Sequence, residues 1–79
     1  MYFVYILKCS NGSFYTGSTN NVENRFKKHL DGKGGKYTRS HKPLEIVYKE
    51  KLKNKSKALK REAQIKNLSR KEKIVLINS

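Results

Sequence analysis

Tyr2-Phe3-Val4-Tyr5-Ile6-Leu7-Lys8-Cys9-Ser10-Asn11-Gly12-Ser13-Phe14-Tyr15-Thr16-Gly17-Ser18 is the stretch on which the fold turns. Tyr2 to Cys9 is apolar on both alternating faces, the pattern of a central strand covered from two sides. Ser10-Asn11-Gly12-Ser13 is a turn signal, and Phe14 to Ser18 follows as a second strand. Loop length then decides which side chains meet. A two-residue Asn-Gly turn would pair Cys9 with Phe14 and put Tyr5 and Tyr15 on opposite faces. A three-residue loop, Ser10-Asn11-Gly12 with Gly12 left-handed, pairs Cys9 with Ser13 instead. Leu7 then opposes Tyr15, Tyr5 opposes Gly17, and both tyrosines share one face. The second register is the predicted one, with Gly17 leaving open space beside Tyr5.

Working outward, Asn20 with Glu23 three residues on reads as a capping-box-like start for a helix over about Asn21 to Leu30. Val22 and Phe26 form its apolar stripe. Arg25 and His29, three and seven residues after Val22, turn toward the sheet or its edge, and Asn24, Lys27 and Lys28 look outward. Asp31 to Pro43 is a loop rich in Gly and basic residues that does not match a phosphate-binding P-loop. Leu44 to about Lys51 reads as a third strand. Ser56 is expected to cap a second helix reaching about Asn67. Ser69 with Glu72 makes a capping box for a third helix to roughly Ile77. Leu68 and the Ile74-Val75-Leu76-Ile77 run should dock on the sheet, with a homodimer patch as the alternative use of that run. The expected fold is a small α/β (α+β) domain, residues 1–79, with a three-stranded mostly antiparallel sheet and three helices in the order β-β-α-β-α-α.

A chain of 79 residues buries only a modest core. The lone Cys9 excludes an intramolecular disulfide and fits a reducing compartment. Tyr2 to Leu7 is too short for a signal peptide or a membrane span, so a soluble cytoplasmic monomer is expected. Charge is the strong compositional signal. Nineteen Lys and Arg against six acids give +13 at pH 7, and ten of the nineteen fall within residues 51–73. That excess points to a polyanion, nucleic acid before anionic membrane, since the basic helix lacks a wide aromatic face. A solvated, solubilising surface is the plainer alternative.

Five residues are candidates for chemistry. Glu62 has Ala58, Leu59 and Ile65 at i−4, i−3 and i+3, so a carboxylate interrupts an apolar stripe. Such a group must be paired or bind a metal. It is either a structural ion pair or the single carboxylate of a Mg²⁺ or Mn²⁺ site completed by waters and phosphate oxygens. Cys9, His29 and His41 fit no clustered zinc spacing. Arg25 suits a scissile phosphate, because its planar fork matches two oxygens; it could equally cover the sheet edge. Tyr5 and Tyr15 are either strand packing or positioners of an attacking water. A free phenol has a pKa of about 10 and needs a nearby cation to act as a base at neutral pH. His29 either relays a proton or bonds a neighbour. Lys28, Lys36, Tyr37 and Arg39 are candidate grips for flanking phosphates or a stacked base, with surface packing as the alternative for the loop residues.

Taken in order, these residues resemble the GIY-YIG nuclease superfamily over nearly the whole chain. Phe3-Val4-Tyr5 stands for the first motif and Tyr15-Thr16-Gly17 for the second. Phe3 replaces the glycine of the first motif, and Thr16 the isoleucine of the second. The chain looks most like the small, stand-alone, uncharacterised bacterial members, which carry a Lys-Tyr-Thr-Arg stretch like Lys36 to Arg39 and a Lys-Arg-Glu like Lys60 to Glu62. The resemblance implies that Tyr5 and Tyr15 are the signature tyrosines, Arg25 the helix arginine, His29 its companion one turn later, and Glu62 the metal ligand. It also implies a DNA endonuclease using one metal ion and in-line attack of water, with Tyr5 as the expected base. Superfamily nucleases often carry a separate nucleic-acid-binding domain. None is expected within 79 residues, so binding would be salt-sensitive and largely non-specific. The rival functions are a non-catalytic basic nucleic-acid-binding module and an interaction subunit using the C-terminal apolar run.

Overall fold

A computed structural model describes residues 1–33 and 41–79. The candidate grips Lys36, Tyr37 and Arg39 lie outside the described residues. Strands β1 (Tyr2–Cys9), β2 (Phe14–Thr19) and β3 (Pro43–Leu52) form an antiparallel sheet in the order β2-β1-β3. Helices α1 (Val22–Leu30), α2 (Lys55–Lys66) and α3 (Arg70–Ile77) complete the order β-β-α-β-α-α. No helix among the described residues is long and apolar enough to cross a membrane.

The hairpin adopts the three-residue loop. Cys9 N–H donates to Ser13 O at 2.9 Å, Gly12 N–H donates to Cys9 O at 2.9 Å, and Gly12 has φ +83°. Only glycine takes that left-handed conformation without a Cβ penalty. Tyr5 therefore faces Gly17 and Leu7 faces Tyr15. β1 is the central strand, and Val4, Tyr5, Ile6, Leu7 and Cys9 are all buried.

Alternation along β1 sorts the core into two layers. Val4 and Ile6 meet Ala58 and Ile65 of α2 on one face. Tyr5 and Leu7 meet Val22 of α1 on the other. Arg61 of α2 pairs with Glu50 of β3 at 3.0 Å, and the Tyr48 hydroxyl donates to the same carboxylate at 2.6 Å, tying α2 to the third strand.

Two helix starts differ from the sequence expectation. α1 is capped by Asn21, not Asn20: the Asn21 side chain accepts from Asn24 N–H at 3.0 Å. The reason lies upstream, where the Thr19 hydroxyl accepts the Asn21 N–H at 3.2 Å and holds Asn21 extended. α2 is capped by Asn54, whose side chain accepts the Lys57 N–H at 3.0 Å, so Ser56 lies inside the first turn. Asn is as good a cap as Ser, and the earlier one lets the helix begin directly after β3. The Ser69–Glu72 capping box is present as expected. α3 docks only in part: Leu76 and Ile77 pack on the α2-side core, while Val75 is 65% exposed.

Candidate active site

On the α1 face, three rings close on one another. The Tyr5 hydroxyl is 3.0 Å from His29 Nε2 in a buried hydrogen bond. Tyr15 meets His29 edge-on with centroids 4.9 Å apart, and the two tyrosine rings are 6.4 Å apart. Gly17 makes the arrangement possible. A Cβ there would lie 2.5 Å from Tyr5 Oη and 2.7 Å from Cζ, closer than any real side chain tolerates. The space expected beside Tyr5 is thus filled by its own phenol.

Arg25, half-buried, stands one helical turn before His29. Burial pushes the Tyr5 pKa well above that of an ordinary phenol; Tyr15 and Glu62 push it further, and Arg25 opposes them. Burial, aided by the Arg25 charge, pulls His29 below the usual imidazole value. His29 is therefore neutral at pH 7 and able to accept a proton, whereas Tyr5 keeps its own. The phenol by itself is a poor base, and His29 is the neutral group positioned to exchange a proton with it.

Glu62 approaches from the other side of the sheet. Ser18 follows Gly17 on edge strand β2 and faces Val4, so its side chain points toward α2. Its hydroxyl donates to Glu62 Oε1 at 2.6 Å. Lys66 Nζ lies 2.7 Å from Oε2, one turn along the same helix. The stripe around Glu62 is less buried than its spacing suggested: Leu59 is 50% exposed, and the Glu62 side chain 17%. The structure brings Tyr5, Tyr15 and His29 into contact with Arg25 beside them, and sets Glu62 across β2, near enough for its charge to act on Tyr5. Lys28 is exposed on α1.

Sequence reasoning passed over Ser18 and Lys66. The Glu62–Lys66 spacing is an i,i+4 pair readable from sequence. Ser18 needed the register, which alone shows that it points at α2. Among the described residues no three His, Cys, Asp or Glu side chains cluster as a metal cage. The donor set fits a hydrated divalent ion all the same. Glu62 offers a hard oxygen, Ser18 fixes the carboxylate, and an ammonium already stands where a cation would bind.

Comparison with known proteins identifies the scaffold. Residues 1–75 match the family model described as the GIY-YIG catalytic domain. The chain belongs to the GIY-YIG family. This GIY-YIG domain is 52% identical over 79 residues to a UPF0213 protein of Clostridium perfringens, covering 100% of the chain and 85% of that relative. It is 47% identical over 77 residues to a UPF0213 protein of Staphylococcus saprophyticus, covering 98% and 94%. The solution NMR structure of a UPF0213 protein from Bacillus halodurans superposes with a TM-score of 0.62 at 44% identity, covering 99% of this GIY-YIG domain and 84% of that chain.

Proposed function

We propose that this domain is an endonuclease that hydrolyses phosphodiester bonds in DNA with one divalent ion, Mg²⁺ or Mn²⁺, held by Glu62. The observation that carries the proposal is the buried 3.0 Å hydrogen bond between Tyr5 Oη and His29 Nε2; in the tautomer that leaves Nε2 unprotonated, this nitrogen is the acceptor for the phenol proton. Water attacks phosphorus in line with the leaving oxygen, the bond from phosphorus to that oxygen breaks, and the leaving oxygen takes up a proton from solvent. The proton of the attacking water passes to Tyr5 Oη as the phenol proton passes to His29 Nε2. The imidazole, neutral through burial and the Arg25 charge, receives it. Arg25 stabilises the charge that grows on the phosphate oxygens. Tyr15 packs against His29 and holds the ring in place. Ser18 orients Glu62. The bound ion supplies positive charge that polarises the phosphate.

The test is cleavage of supercoiled plasmid and of branched and single-stranded oligonucleotides with Mg²⁺ or Mn²⁺. Tyr5→Phe and Glu62→Gln should each lower the rate by about 10²-fold or more while the amide spectrum stays that of the folded chain. One observation favours a second reading, a non-catalytic basic module that binds nucleic acid. The Lys66 ammonium on Glu62 is the structural ion pair such a module would need. Wild type that binds DNA, cuts none of these substrates and is indifferent to Glu62→Gln would decide for it.

A further inference from the structure

A narrow cleft of about 150 Å³ opens where β2 ends and α1 begins, lined by Thr19, Asn20, Asn21, Asn24, Arg25 and Lys28. The lining is polar, contains two cations and has no carboxylate. Two of its groups are already committed. Asn21 Oδ1 accepts the Asn24 N–H, and the Thr19 hydroxyl accepts the Asn21 N–H. The side-chain amides of Asn20 and Asn24 are left as donors. Among the described residues the half-buried Arg25 pairs with no acid through its guanidinium, and its one donated hydrogen bond is the backbone N–H to Asn21 O at 3.1 Å. The planar fork of guanidinium donors is available to an anion in the cleft.

We propose that this cleft is a phosphate subsite, taking the backbone phosphodiester next to the one held at Tyr5 and His29. The inference rests on the reading of the chain as a nucleic-acid enzyme. Arg25 links the two places. Its charge acts on Tyr5 and His29, and its side chain also walls the cleft. A bound strand therefore runs from the tyrosines along the first turns of α1, with Asn20 and Asn24 donating to one phosphate and Lys28 neutralising it. The neutral amides make this more than a patch of positive charge, because they require the phosphate to sit in one position. A free phosphate or a sugar phosphate shares this chemistry; the backbone of a strand is the ligand argued for, since Arg25 walls the cleft and its charge also reaches Tyr5 and His29.

The experiment is an NMR titration of the metal-free chain, so that nothing is cut. The probes are inorganic phosphate and a thymidine oligomer of about ten nucleotides. The oligomer should shift the Asn20 and Asn24 side-chain amides at lower concentration than phosphate does. Asn20→Ala with Asn24→Ala should weaken oligomer binding about 5-fold and leave its salt dependence unchanged, whereas Lys28→Gln should reduce the salt slope by about one. Asn24→Asp guards against a folding artefact. Near a helix N-terminus it favours the helix, yet it should repel phosphate. Shifts confined to lysines of α2 and α3, or unchanged affinity in the double alanine variant, would overturn the subsite. So would a cleft that answers phosphate but not the oligomer. A cleft that binds the oligomer in a chain that cuts no DNA with Mn²⁺ would sink the hydrolase reading and leave the subsite standing.

Discussion

The two faces of the sheet are made of different materials. Toward α2 the fully buried side chains are aliphatic, Val4, Ile6, Ala58 and Ile65. Toward α1 the interior holds a phenol and an imidazole, Tyr5 and His29, beside Leu7 and Val22. Burying an aliphatic side chain stabilises by about 1.5–3 kcal/mol. Burying a hydroxyl or an imidazole is unfavourable unless it is hydrogen-bonded, and here each supplies the other. One face holds the domain together, and the other keeps two polar groups dry enough to shift their proton affinities. Domains this small have little stability to spare, which is why the polar face needs the aliphatic one behind it.

That contrast can be broken from either side. The largest effect is expected from Ile65→Ala, which opens a cavity in the aliphatic layer. It should cost about 2–5 kcal/mol in urea unfolding, and a loss below 1 would mean that α2 is not the main support. Gly17→Ala comes next. The added methyl collides with the Tyr5 phenol, so stability should fall by about 1–3 kcal/mol. The Tyr5 and His29 ring resonances should move together. Rings that stay put would show that the close approach is not needed.

Smaller still is the response to acid. The folded His29 pKa lies below that of the unfolded imidazole, about 6.5. Between the two values the unfolded chain binds more protons, so stability is full above about pH 6.5 and is lost as pH falls through that window. His29→Gln should flatten urea-unfolding stability between about pH 7 and 5; an unchanged slope would refute the neutral imidazole. The smallest effect sharpens the comparison. Thr16 Oγ1, on the α2 side, is buried and has no hydrogen-bond partner among the described residues. Thr16→Val should raise stability by about 1 kcal/mol and leave the ring cluster undisturbed. A loss would mean that the hydroxyl finds a partner in solution.

Much of this was readable from local chemistry. The strands, the Gly12 bulge, the capping box at Ser69 and the helical phase of Arg25 and His29 all follow from rules linking neighbours in sequence. The caps at Asn21 and Asn54 slipped by one and two residues because several good capping residues stand close together, and only the flanking bonds choose among them. The α3 run Ile74–Ile77 is apolar on every side, so composition did not reveal that Val75 would stay outside.

The sequence by itself pointed to the hairpin register, and with it to Tyr5 and Tyr15 sharing a face with Gly17 opposite Tyr5; that only a glycine fits there was decided by the packing of the phenol. Strand alternation and a three-residue turn leave no other arrangement once Gly12 is left-handed. Only the tertiary structure decided that His29 bonds Tyr5, that Ser18 holds Glu62, and that the carboxylate comes from across the edge strand. Those contacts join residues 24 to 44 apart along the chain or lie on opposite layers of it. They depend on where α1 and α2 settle, and that placement is set by packing of the whole core rather than by any local signal.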